Sequence, residues 1–68
     1  MENGWISIYT TTSPMSAELC RQALEEAQIP AVVVNQRDSS FQSFGDIQVY
    51  VEEQNVEQAK KIAERFEN

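Results

Sequence analysis

The chain contains two prolines, and they bracket a single segment. Pro14 follows Ser13, and Pro30 follows Ile29. Proline suits the first turn of a helix, where its missing N–H costs nothing, and serine is a preferred cap just before it. Proline also pushes the preceding residue out of helical geometry. One helix is therefore expected from Pro14 to about Gln28. At 100° per residue, Ser16, Leu19, Cys20, Ala23, Leu24 and Ala27 share one face. Glu18, Arg21, Gln22, Glu25 and Glu26 take the face toward water, with Arg21 and Glu25 spaced to pair.

Strands flank this helix. Trp5 to Thr11 is rich in β-branched and aromatic residues and alternates. Ile6, Ile8 and Thr10 fall on one side; Trp5, Ser7, Tyr9 and Thr11 fall on the other. Ala31 to Asn35 reads as a second strand and Asp46 to Glu52 as a third, with Ile47, Val49 and Val51 inward and Gln48 and Tyr50 outward. A second helix follows Glu53-Gln54-Asn55 and ends near Glu67, buried along Val56, Ala59, Ile62, Ala63 and Phe66. A strand–helix–strand crossover followed by a hairpin places the third strand between the other two. The expected fold is α+β: a β-α-β-β-α two-layer sandwich, ferredoxin-like, with an antiparallel sheet of order 1-3-2 and both helices on one face. Residues 1–68 form one domain, since 68 residues are too few for two cores.

Composition excludes several kinds of chemistry. There is no His and one Cys, so the chain has neither a Ser-His nor a Cys-His pair, no internal disulfide and no cysteine-based metal cage. The net charge of −6 opposes binding to a phosphate backbone. Tyr9 and Tyr50 resemble the base-stacking layout of RNA-recognition modules, but Ser43-Phe44-Gly45-Asp46 lacks the basic residue of that signature. The acidic start, Met1-Glu2-Asn3-Gly4, precedes no long apolar run, so no export signal is expected and the lone Cys suits the cytoplasm. No stretch suits a membrane span. No catalytic residue, metal or cofactor is expected.

Several segments together carry a family resemblance. They are Ile8-Tyr9-Thr10, Ala17-Glu18-Leu19, Gln28-Ile29-Pro30-Ala31, Asn35 to Ser40, and Phe44-Gly45-Asp46-Ile47-Gln48-Val49-Tyr50-Val51. They resemble the small bacterial family described as "putative prokaryotic signal transducing protein", a domain of unknown function, over roughly Trp5 to Phe66. The 37–40 loop and the strand after it are most similar to Bacteroidetes-type members. The resemblance implies a ferredoxin-like fold related to the PII nitrogen-regulator proteins. It implies no ligand or catalytic residue.

Two surfaces remain for function. The first is the loop between the second and third strands, with Arg37, Asp38, Ser39, Ser40, Phe41 and Phe44. In PII-like proteins the equivalent connection contacts partners, so the resemblance implies that use here; the alternative is that Asp38 and the serines satisfy turn groups. The second is the sheet face opposite the helices, carrying Trp5, Tyr9 and Tyr50, which suits an interface. The expected function is a small non-catalytic binding or regulatory module, contacting a protein or small ligand through the 37–45 loop and the open face. The alternative is an oligomeric assembly protein without a small ligand. A homo-oligomer is expected, with a dimer favoured, because a chain this small gains burial by association and its first strand is a bare edge.

Overall fold

A computed structural model describes residues 4–35 and 47–67. The elements are β1 (Trp5–Thr11), α1 (Pro14–Glu26), β2 (Ala31–Asn35), β3 (Ile47–Glu52) and α2 (Val56–Ala63), with short 3-10 turns at Glu53–Asn55 and Glu64–Phe66 on either side of α2. The sheet has the order β1-β3-β2, and β3 pairs antiparallel with both neighbours. α1 and α2 touch each other and pack on the sheet. The fold is thus the α+β, ferredoxin-like arrangement that the periodicity predicts.

The start of α1 is built as its sequence suggests. The Ser16 N–H donates to Ser13 Oγ at 3.2 Å, and the Ser13 N–H donates to Thr11 Oγ1 at 3.0 Å. Two hydroxyls thereby occupy donors at the strand-to-helix junction, leaving Pro14 to enter the first turn without an N–H of its own. At the other end Gln28 adopts φ 65°. The Ile29 N–H reaches Leu24 O and the Gln28 N–H reaches Glu25 O, both at 2.9 Å. This is a Schellman closure, and it turns the chain so that Ile29 packs in the core with Leu24.

The core joins Ile8 and Tyr9 of β1, Ala17, Cys20 and Leu24 of α1, Ile29, Ala31, Ile47, Val49 and Val51 of the sheet region, and Ala59, Ile62 and Ala63 of α2. Two expectations are corrected here. Leu19 is 47% exposed, because the buried stripe of α1 is centred on Ala17, Cys20 and Leu24, one step round the helix from Ser16 and Leu19. Tyr9 is only 6% exposed and belongs to the core. The cause is a β-bulge: the β1–β3 register shifts between Ser7 and Tyr9, so Ser7 opposes Tyr50 while Tyr9 opposes Val49. One extra residue on one strand carries every later side chain to the opposite face. Tyr9 and Thr11 therefore join the helix side with Val49 and Ile47, and Thr10 moves to the open side with Gln48.

Candidate functional site

The face of the sheet away from the helices is set by the register. Trp5 opposes Glu52, Ser7 opposes Tyr50, and Thr10 opposes Gln48 across β1 and β3. On the other side of β3, Val32 opposes Tyr50 and Val34 opposes Gln48. Partners in an antiparallel pair project to the same face. Because Ile47, Val49 and Val51 are buried under the helices, the alternate positions Gln48, Tyr50 and Glu52 mark the face that no described helix covers. Trp5, Tyr50 and Val34 are half-buried there, and Val32 is 40% exposed. Trp5 and Tyr50 lie on a diagonal, within reach for large side chains.

Of the three aromatics expected on this face, Trp5 and Tyr50 lie on it and Tyr9 does not. The Tyr9 hydroxyl donates instead to Phe66 O at 3.0 Å. The loop residues Arg37, Asp38, Ser39, Ser40, Phe41 and Phe44 lie outside the described residues.

One corner of the face is concave. Gly4, Trp5, Glu52, Glu53 and Gln54 line a cavity of about 280 Å³. Its shape depends on a backbone bond, the Glu53 N–H donating to Gly4 O at 2.6 Å, which ties the entry of β1 to the exit of β3. Gly4 makes that entry with φ +91°, a backbone region that glycine alone adopts freely. A second, apolar hollow lies at the start of α1, lined by Ser13, Pro14, Met15, Glu18 and Leu19, with Met15 72% exposed. The sequence reading missed it by placing Leu19 in the core; the four-residue spacing of Met15 and Leu19 was the available signal.

The one cysteine is not poised as a nucleophile. Cys20 is fully buried, and that burial, with the Glu67 charge adding to it, pushes its thiol up to about 11. A thiol held neutral is inert. On the exposed face of α1, Arg21 lies between two carboxylates. Its Nε donates to Glu18 Oε1 at 3.1 Å, its Nη2 contacts Glu18 Oε2, and its Nη1 lies 3.1 Å from Glu25 Oε2. The Arg21 hydrogen bond, with one from Gln22, holds the Glu18 carboxyl below its usual range. Among the described residues, no three His, Cys, Asp or Glu side chains are placed to hold a metal ion. Nor is any described helix long and apolar enough to cross a membrane.

No curated protein and no solved structure shows a significant match to the chain. A family match does exist, and it spans residues 5–67, from the first residue of β1 to the residue after the last turn. The chain belongs to the family described as "Putative prokaryotic signal transducing protein", a description that points to signalling rather than to an enzyme.

Proposed function

We propose that the chain is a small, non-catalytic regulatory module that acts in the cytoplasm by contact, through the open sheet face and the 37–45 loop. The observation that carries this reading is the sheet face that no described helix covers. Trp5, Tyr50, Val32 and Val34 form an aromatic and aliphatic strip on a layer that the helices cover from one side only. Aromatic residues in such strips are the usual anchors of protein interfaces. The family description supports a signalling role, and the net charge of −6 favours a protein or small ligand over nucleic acid.

The Tyr50, Val32 and Val34 end of the strip also suits a second copy of the chain, and we take the module to be a homodimer through that end, with the Trp5 corner outside the contact. A typical stable interface buries about 800 Å² per partner, a large share of a chain whose whole accessible surface is 4914 Å². Sedimentation at high micromolar concentration should give more than 7.8 kDa, and V32S/Y50S should return the mass to the monomer. A wild-type mass of 7.8 kDa would end the dimer reading. A thermal-shift screen with nucleotides and amino acids separates the regulatory module from a plain assembly protein. A ligand specific for the folded state raises its midpoint; a stable dimer that responds to none favours assembly. That alternative is supported by β1 and β2 both being edges of the sheet among the described residues.

A further inference from the structure

We propose that the corner of Trp5, Glu52 and Glu53 receives a guanidinium group, the arginine side chain of a partner protein. This inference rests on the reading of the open face as a protein-contact surface and names what that surface recognises. Trp5 and Glu52 are cross-strand partners, so an indole and a carboxylate stand side by side at the end of the face. Glu53 follows directly, its backbone pinned to Gly4, and all three residues line one cavity of about 280 Å³.

Neither corner carboxylate has a basic side chain within 4.0 Å among the described residues; the ion pairs found there join Arg21 to Glu18 and Glu25. An indole face with two uncompensated carboxylates calls for a cation that is flat as well as charged. A guanidinium stacks on tryptophan and forks onto carboxylates with fixed donors. An ammonium is a compact, strongly hydrated point charge and uses only the charge. A hard metal ion would use the carboxylates and leave the indole without a role.

The chain has one tryptophan, so its fluorescence reads this corner directly. The probe is the blocked tripeptide acetyl-Gly-Arg-Gly-amide, compared with its lysine and citrulline counterparts. Citrulline keeps the planar shape and removes the charge. The arginine peptide should shift Trp5 emission saturably, the lysine peptide should bind several-fold more weakly, and the citrulline peptide should be silent. E52Q/E53Q, checked for folding by circular dichroism, should weaken arginine binding at least tenfold, and added salt should weaken it in the wild type. Equal responses to arginine and citrulline, or undiminished binding to E52Q/E53Q, would overturn the proposal. A dimer by sedimentation with no response to the arginine peptide overturns the corner alone. A monomer that binds the peptide leaves the corner standing and removes the dimer.

Discussion

The hydroxyl of Tyr9 donates to the backbone carbonyl of Phe66 at 3.0 Å, across 57 residues of chain, while the two rings meet edge to face with centroids 6.4 Å apart. This pair ties the last turn to the first strand. It buries an aromatic body and gives its polar tip a partner, which a buried tyrosine needs. Y9F keeps the ring and loses the bond, so it should cost about 1 kcal/mol in urea unfolding. Y9A removes the ring as well and should cost roughly 3–5 kcal/mol, enough to leave so small a domain largely unfolded. Y9F should also speed amide exchange in Glu64–Phe66 more than in β2.

The Ser13 cap predicts a smaller, local effect. Its Oγ accepts the Ser16 N–H at 3.2 Å. S13A should lower stability by about 1 kcal/mol, and S13D should largely restore it. The denaturation midpoint is the measurement; an unchanged midpoint in S13A would mean that water replaces the cap at no cost.

Gln28 offers a stabilising substitution. Its φ of 65° places an L-residue with a Cβ in left-handed geometry, at the position where helices commonly use glycine. That conformation costs a non-glycine residue roughly 1–2 kcal/mol, partly offset by the greater freedom of glycine in the unfolded chain. Q28G should therefore raise stability by about 0.5–1 kcal/mol, or a few degrees in thermal midpoint for a domain of this size.

Cys20 predicts both a pH dependence and a reactivity. In the unfolded chain its thiol loses its proton near pH ~8.5, but in the folded chain burial holds the proton to about 11. Between those values the unfolded state binds fewer protons, so stability falls as pH rises; below them the contribution is fully present. The loss across this window is on the order of 3 kcal/mol. In C20A that component of the slope should vanish, although the variant starts from lower stability because it leaves a small cavity. A thiol reagent at pH 8 should label native protein only as fast as it opens, and labelling should accelerate in urea.

The parts of this fold that were legible in the sequence are those governed by local chemistry. Ser13-Pro14 announces a capped helix because the cap is a contact within four residues. Pro30 closes the helical run because its ring acts on the residue before it. The alternation of Ile47 to Val51 sorts a strand whose two faces have different surroundings, and β3, central in the sheet, has that environment along its length. Element order then leads to the 1-3-2 sheet, since few topologies join such elements with short connections.

The site was harder to read. Strict alternation along Trp5 to Thr11 assigns Tyr9 to the same face as Trp5, and the chain at Ile8 carries no glycine or proline to warn of a bulge. The bulge exists because β1 must match a neighbour 40 residues away while Ile8 and Tyr9 are both buried. Leu19 tells the same story on α1. Its hydrophobicity is local, but the side of the helix that meets the sheet is chosen by packing, which seats Ala17, Cys20 and Leu24 and leaves Leu19 outside.

By itself, then, the sequence determined the elements, their caps, their order and the absence of His-based chemistry, because each depends on neighbouring residues or on composition. Only the tertiary structure decided which side chains share a face. It moved Tyr9 from the open surface into the core, left Trp5 and Tyr50 on a diagonal, and brought Glu52 and Glu53 beside Trp5 at a single corner. The physical reason is that side-chain direction in a strand has a period of two, so one residue of register slip, set by a distant partner, reverses everything after it.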